Sequence, residues 1–458
     1  MSFIRKMKKG NSVYLVKVEN YRHDGKVKQR VIEYIGKEEE GKVIPKKTKQ
    51  SDFNISKVTQ FLDILTVDTI ARTLEIPDFL GTHSKHLLSL IYSHLIKKVS
   101  VYKLPEWAEK TEIANILKLK RITAKDLYTA IEKFAEMDFG IIQKMLAENY
   151  RAIEDDNRIA VLDITDTYFN GKDADWKSRR GKDGKYDKLI QIALAVTFNN
   201  GFPIMHKTYE GNISNINIFV DIINDLKIYG YDSIIVDRGF SSQNNINNLN
   251  EYGLKGIMGI RLSNKIGNDY LSKINRDEIF TKECQLELKN TKVYIQGFDY
   301  QKGRLVAVFN PAIEISQREK YFEKTDKSRA SRYFGYSLIY HNLSIPDNQA
   351  VSKYFDKDIV ERSFKKIKGP ISLHPLHVWK LENIKTHIKI CYIAYAILSY
   401  MEYKIKPIGM SATEALKSLQ GAYKVNIEFE DKRTIEKVVT LKKIQQQIID
   451  ALNVVYKM

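Results

Sequence analysis

Cysteine is nearly absent. Cys284 and Cys391 are the two in 458 residues, in unrelated settings. That excludes a disulfide framework or a zinc site built from cysteines, and it fits a reducing compartment. Histidine is sparse as well, with nine in the chain, so a chemistry that needs no histidine base is favoured. Long apolar runs are missing. The longest, Ile390 to Met401, falls short of the roughly 20 residues that span a bilayer and carries tyrosines throughout, so it reads as a buried helix. Arg5, Lys6, Lys8 and Lys9 open the chain without an apolar segment behind them, which excludes a signal peptide and predicts a cytoplasmic protein without a membrane partner. Internal repeats and low-complexity tracts are absent too.

What is abundant is positive charge. Lys and Arg number 74 against 56 Asp and Glu, a net charge of +18 and a pI near 9.4. Such a field favours a polyanionic partner, most often nucleic acid. With 43% hydrophobic and 28% charged residues the composition is that of a globular protein, and the length suggests roughly two to four domains.

Residues 1–50 hold 14 Lys and Arg and 6 Asp and Glu, hence +8 of the total. Two strands there, SVYLVKVENY and KQRVIEYIG, are joined by His23-Asp24-Gly25, a hairpin signal. This basic region reads either as a phosphate-contacting hairpin or as a solvated arm. Residues 51–150 read as a helical domain from Lys57 onward, with apolar residues at three- and four-residue steps in VTQFLDILTVDTIARTLEI, HLLSLIYSHLIKKVSV and LYTAIEKFAEMDFGIIQKML. A plain bundle describes it, and DNA contact is compatible with that.

Residues 151–264 change texture. RIAVLDIT is a strand buried on both faces that delivers Asp163 at its end. LIQIALAVT and FPIMHKTY are further strands, INIFVDIINDLKIYG is a helix, and SIIVDRGF is a strand ending at Asp237 with Arg238-Gly239 as its exit turn. A helix and the strand GIMGI complete an α/β unit with one mixed sheet. Residues 265–342 read as a β-rich insertion and 343–405 as the second part of the core. Residues 406–458 read as helical, with helices at Ala412–Leu419 and Thr434–Val455.

The chemistry is carried by three carboxylates. In YFDKDIVERSFKKIK, drawn as one α-helix, Tyr354, Lys357, Glu361, Lys365 and Lys368 share a face beside an apolar stripe of Val360, Phe364 and Ile367. Taken alone this is equally an amphipathic surface helix with a Glu–Lys pair. Asp163 alone could be a cap, Asp237 an Asx-turn, and Asp166 a turn residue or a supporting partner. Together the three offer hard oxygen ligands for Mg²⁺ or Mn²⁺, and two such ions about 4 Å apart suit an in-line phosphoryl displacement. Arg179, Arg180, Lys182, Lys185 and Lys188 form a basic, Gly-containing loop that either tracks a DNA backbone or is simply solvated. Tyr333, Tyr336 and Tyr340 read first as core residues and second as platforms for a displaced base.

These motifs resemble a known family. Asp163-Ile164-Thr165 with Tyr168-Phe169, then Val236-Asp237-Arg238-Gly239, then Tyr354-x2-Lys357-x3-Glu361-x6-Lys368 are similar to the DDE transposases of bacterial insertion sequences. The closest branch is the IS-four superfamily, marked by a Tyr-Arg-Glu-Lys signature. Arg180-Gly181-Lys182-Asp183 with Asp187 and Gln191, Gly211-Asn212, and His374-Pro375 with Trp379 and His387 add to a likeness that runs over about residues 1 to 400. One departure is Lys357, which stands where the family has arginine and keeps the charge without the bidentate fork.

The resemblance implies an RNase H-like mixed-sheet core with a β-rich insertion, preceded by a basic hairpin and a helical DNA-binding region. It makes Asp163, Asp237 and Glu361 the catalytic metal ligands. Tyr354, Lys357, Lys365, Lys368, Arg238, Arg179, Arg180 and Lys182 would meet DNA. The implied reaction is metal-dependent strand cleavage at the ends of an insertion sequence, then transfer of the 3′-hydroxyl into target DNA. The implied partners are double-stranded DNA (terminal inverted repeats and target) and a second copy of the chain in a synaptic homodimer, on the nucleoid when bound. Two other readings stay open on sequence grounds: an RNase H-like nuclease without strand transfer, and an inactive DNA-binding relic.

Overall fold

The computed structural model describes residues 2–10, 12–23, 26–39, 42–45, 53–154, 158–168, 179–180, 186–210, 213–324, 333–371, 373, 381–429 and 432–456. Two compact units emerge. Met1–Val58, Lys424–Val438 and Met458 form one; Thr59–Tyr423 and Val439–Lys457 form the other.

The smaller unit opens with four antiparallel strands in chain order: β1 (Ser2–Lys9), β2 (Ser12–His23), β3 (Lys26–Glu39) and β4 (Lys42–Pro45). The expected hairpin is β2–β3, closed by the His23–Lys26 pair, while Asp24 and Gly25 lie outside the described residues. It is extended by a strand on either side, β1 and β4, which pair with edges that would otherwise stand open. Val16 and Val18 point inward, with exposed Lys17 between them.

A correction to the helical reading follows. Phe53–Gln60 is a strand, β5, and the first helix begins only at Leu62. Helices Leu62–Thr73, Ser84–Ile96, Ala124–Ala135 and Phe139–Ile153 then supply apolar faces to the larger unit. The run LYTAIEKFAEMDFGIIQKML is two helices rather than one, since Asp138 restarts the chain as an N-cap whose side chain accepts from the Gly140 amide at 2.9 Å.

The larger unit is organised by nine strands. In chain order they are β6 (Ile159–Tyr168), the short ribbon β7 (Arg179–Arg180) and β8 (Tyr186–Asp187), then β9 (Leu189–Thr197), β10 (Pro203–Glu210), β11 (Ser233–Val236), β12 (Lys255–Ile260), β13 (Gln285–Leu288), β14 (Thr291–Tyr300), β15 (Gly303–Phe309) and β16 (Tyr336–His341). Leaving the ribbon aside, their spatial order is β10-β9-β6-β11-β12-β16-β15-β14-β13. β10, β9 and β6 are antiparallel, whereas β11 runs parallel to both β6 and β12. This is a large mixed α/β sheet. Helices Asn215–Ile228 and Gln243–Glu251, capped by Ser214 and Ser242, bury Phe219, Ile222, Ile246 and Leu249 in its core with Leu162, Ile164, Val236 and Met258.

Residues 265–342, read from sequence as a β-rich insertion, hold strands β13 to β16 among the described residues and also helices Lys265–Leu271, Arg276–Ile279 and Pro311–Lys324. The strands continue the core sheet: β16 pairs antiparallel with β12, so the buried run Leu338-Ile339-Tyr340 fills what would be an open edge. Tyr340 is fully buried, Tyr336 stacks near Phe309 and Tyr333 packs on the same core, which makes the core reading of these tyrosines the observed one.

Helix Leu381–Ile405 contains the run Ile390–Met401, expected as a buried helix, and Ala412–Leu419 is helical behind a Ser411–Glu414 capping box. Thr434–Val455 is not one helix. Thr434–Val438 is strand β18, paired with β17 (Tyr423–Phe429) in a sheet of order β18-β17-β5, and helix Lys443–Ala451 follows. Among the described residues no helix is long and apolar enough to cross a membrane.

Candidate active site

Two neighbouring strands bring the aspartates side by side. β6 reads Ala160-Val161-Leu162-Asp163-Ile164, with the apolar residues buried and Asp163 half-buried among them. Asp163 is mid-strand rather than terminal, because pairing with β9 carries β6 on to Tyr168. On its other side β11 stops at the Val236–Leu162 pair. β6 therefore outruns that neighbour from Asp163 onward, and Asp237 follows directly on the last paired residue of β11. Asp166 lies within β6 opposite Gln191, not in a turn.

The third carboxylate comes from helix Ile359–Lys368. Val360, Phe364 and Ile367 are buried, Glu361 and Lys365 are exposed. The helix is held from behind: the Tyr395 hydroxyl lies 2.6 Å from Ser363 Oγ and 2.7 Å from the Gly201 carbonyl. Asp163, Ile164, Thr165, Glu361, Phe364, Lys365 and Lys368 line one cleft of 410 Å³. Asp163 and Glu361 thus face a common space, and Asp237 sits on the adjoining strand end outside that lining.

Tyr354 and Lys357 do not share a helix with Glu361. Helix Asp347–Phe355 ends after Tyr354, Lys357 lies in the turn, and the next helix starts at Ile359. The break redirects both side chains onto Asp237. The Tyr354 hydroxyl donates to Asp237 Oδ1 at 3.2 Å, Lys357 Nζ is 3.3 Å from the same oxygen, and that ammonium stands 4.9 Å from the Tyr354 ring centre. Partial burial alone would raise the Asp237 carboxyl. The Lys357 charge, the Arg238 amide and the hydrogen bonds from Lys357 and Tyr354 outweigh it and hold the group below the usual carboxylate range. Burial, then the Asp237 charge, pushes the Tyr354 phenol far up, so it stays a donor.

Lys368 reaches back to β6, donating to Thr165 Oγ1 at 2.6 Å and to the Asp166 carbonyl at 2.9 Å. Arg238 is exposed on the turn after Asp237. Arg179 and Arg180 pair with Asp187 and Tyr186 in the β7–β8 ribbon. Lys182 and Lys185 lie outside the described residues, as do Phe169, Gly211-Asn212, His374-Pro375 and Trp379.

Arg261, Gly259 and Thr165 take supporting roles that the sequence motifs did not show. Arg261 clamps the exit turn, donating from Nε to the Arg238 carbonyl at 3.1 Å and from its other nitrogen to the Gly239 carbonyl at 3.2 Å. Gly259 leaves room for the Tyr354 hydroxyl, which a Cβ there would overlap. Thr165 anchors Lys368. Only Gly259, a glycine inside a strand, carried a local signal.

Residues 154–397, just over half of the chain, match the transposase DDE domain, and residues 4–50 match the N-terminal domain of IS1634-family transposases. The chain belongs to the DDE transposases. It is accordingly a DNA-transposing enzyme, a nuclease and transesterase, and DDE transposase domains use divalent metal ions. No curated protein matches the sequence. Among solved structures, a chain of the piggyBac transposase synaptic complex with hairpin DNA is similar at 11% identity with a TM-score of 0.44, over 78% of this chain and 76% of that one. Three carboxylates in this arrangement would suit a hard divalent cation, with Glu361 exposed toward the cleft and the Asp237 carboxyl held below its usual range.

Proposed function

We propose that Asp163, Asp237 and Glu361 are the metal ligands of an RNase H-like transposase core, and that they hold two Mg²⁺ or Mn²⁺ ions. The shared cleft of Asp163 and Glu361, next to the strand end that carries Asp237, is the observation that supports this most directly. Bound cations would supply Lewis-acid stabilisation at the scissile phosphate and lower the pKa of the attacking water or 3′-hydroxyl. The chain's own residues orient the ligands. Tyr354 and Lys357 fix one oxygen of Asp237, leaving the other for a ligand, and Lys368 holds the β6 segment that follows Asp163. Lys365 on the cleft wall and exposed Arg238 would meet DNA phosphates as positioning contacts. Lys357 and Lys368 would add their positive charge to the same phosphate contacts.

The flanking regions extend the reading. Residues 1–50 would contact the terminal repeats, residues 51–150 would add helical DNA contacts, and Arg179, Arg180 and Lys182 would track the backbone. Residues 151–264 and 343–405 would form the core, 265–342 its insertion and 406–458 a C-terminal region. Cleavage at the element's ends followed by 3′-hydroxyl transfer calls for two ends, hence a homodimer, acting in the cytoplasm on nucleoid DNA.

The test is cleavage of a labelled duplex carrying the flanking inverted repeat, with Mg²⁺ or Mn²⁺, by wild type, Asp163→Asn, Asp237→Asn and Glu361→Gln. Nicking at the repeat boundary that disappears in all three while binding persists supports the assignment. Metal-dependent nicking retained by Glu361→Gln removes it.

A further inference from the structure

Away from the carboxylate cleft, two histidines and the buried cysteine come together. His387 and Cys391 lie one turn apart on helix Leu381–Ile405, and His94 faces them from helix Ser84–Ile96. One nitrogen from each ring and the Cys391 sulfur lie within 4.8 Å of one another. The His94 and His387 rings meet edge-on, with centres 5.0 Å apart. His387 Nε2 is 3.6 Å from Cys391 Sγ. A tetrahedral zinc ion with Zn–N near 2.05 Å and Zn–S near 2.3 Å sets a nitrogen–sulfur edge of about 3.6 Å. That edge is already in place.

A second observation concerns the tautomer of His94. Its Nδ1 lies 3.0 Å from the Ile371 carbonyl oxygen. A carbonyl only accepts, so Nδ1 carries the proton and Nε2 keeps its lone pair, the arrangement in which a backbone carbonyl orients a metal-ligating imidazole. Both histidines are half-buried, whereas Cys391 is buried.

We propose that His94, His387 and Cys391 form a zinc site, completed by water, that clips helix Ser84–Ile96 to helix Leu381–Ile405. Binding exchanges the Cys391 S–H for an S–Zn bond and releases one proton to solvent. One thiolate and two imidazoles prefer zinc to Mg²⁺ or Mn²⁺, so this site and the carboxylate cleft select different ions. Its consequence is structural. Ile371, whose carbonyl orients His94, lies three residues beyond the glutamate helix, and Lys98 donates to the Gly369 carbonyl at 3.4 Å. The clip therefore also fixes the exit of the helix that carries Glu361. The proposal does not depend on the assignment of the three carboxylates.

Titrating the metal-free, full-length chain with Co²⁺ tests it. A thiolate-to-cobalt charge-transfer band that saturates at one equivalent is expected in wild type, in Cys284→Ser, and in the Asp163→Asn/Glu361→Gln double variant. It should vanish in Cys391→Ser and need at least about tenfold more Co²⁺ in His94→Gln. Should Cys391→Ser fail to fold, the wild-type titration and His94→Gln decide, together with a Zn²⁺-dependent rise in wild-type unfolding temperature that His94→Gln lacks. The proposal falls if folded wild type shows no such band, if the band survives in Cys391→Ser, or if it disappears in Cys284→Ser.

Discussion

Adding one methyl group at Gly259 should dislodge the tyrosine that holds Asp237. Gly259 lies on β12 opposite Ile339, and its φ is outside the left-handed region, so alanine adds bulk without backbone strain. The new Cβ would overlap the Tyr354 hydroxyl and stand 2.9 Å from the ring carbon bearing it and 3.0 Å from the Arg238 amide nitrogen. Tyr354 is 8% exposed and cannot swing into solvent. It must retreat and give up its bond to Asp237. Overpacking of this kind costs about 1–3 kcal/mol. The hydroxyl–carboxylate bond adds about 1 kcal/mol, the value for an ordinary hydrogen bond and below that for a buried charged acceptor, because the Asp237 side chain is 43% exposed. Gly259→Ala should therefore lose roughly 2–4 kcal/mol. Tyr354→Phe should lose about 1 kcal/mol. In the double variant the worst overlap is gone, so the two changes should couple favourably by about 1–2 kcal/mol. Urea unfolding of the four proteins, followed by circular dichroism, measures the cycle. Asp237 also loses a group that holds its carboxyl down, so the acid limb of the cleavage–pH profile should move to higher pH in both single variants. Additive losses, or a Gly259→Ala protein with wild-type unfolding and pH profile, would refute the reasoning.

Three further outcomes are expected. Lys357→Met removes the cation beside Asp237. Because the folded carboxyl is depressed, the stabilisation exists above the ordinary carboxylate range and is lost as pH falls through the folded value. The variant should thus be less stable at pH 7 by under about 1 kcal/mol, with the gap narrowing as pH falls below the ordinary carboxylate range, as urea unfolding across that pH range would show. Lys368→Met deletes the bonds to Thr165 and Asp166, and should cost about 1–3 kcal/mol and speed hydrogen exchange in β6. His206 is buried between Phe139 and Tyr392, its Nδ1 has no hydrogen-bond partner, and burial, aided by Lys389, drives its pKa down to about 3. The unfolded chain binds that proton first, so wild type should lose about 3 kcal/mol between pH 6.5 and 4, and His206→Phe should lose measurably less on acid titration.

What the sequence made legible follows from how local each signal is. β6, β9 and β11 are buried on both faces, so unbroken apolar runs such as Ala160-Val161-Leu162 and Ile234-Ile235-Val236 announce them without knowledge of their partners. Strands whose identity depends on a distant partner were hidden. β5 stops at Gln60, two residues before the helix that starts at Leu62, and its partner β17 comes from the other end of the chain, where Ser56 donates to the Asn426 carbonyl at 3.2 Å. Nothing near Tyr336 says that β16 will pair with β12 and turn an insertion into an extension of the sheet. Helix breaks were the second blind spot. A three-to-four-residue period persists through Tyr354, Lys357, Glu361 and Lys368 whether or not the helix is continuous, yet the break decides the site. An unbroken helix would keep Tyr354 and Lys357 on the face of Glu361, whereas the turn sends both to Asp237. The Asp356-Lys357-Asp358 pattern held the clue, because aspartates there compete with the helix backbone and favour a restart. Asp138 marks the other missed break in the same way. The two sites differ in legibility for the same reason. The three carboxylates, each open to a bland reading alone, become legible through the order and spacing of their motifs, whereas His94 stands 293 residues from His387 and no motif links the two. Only the packing of helix Ser84–Ile96 on helix Leu381–Ile405 makes them a pair, so the sparse histidine and cysteine content, which argued against metal chemistry of that type, bore on number and not on placement.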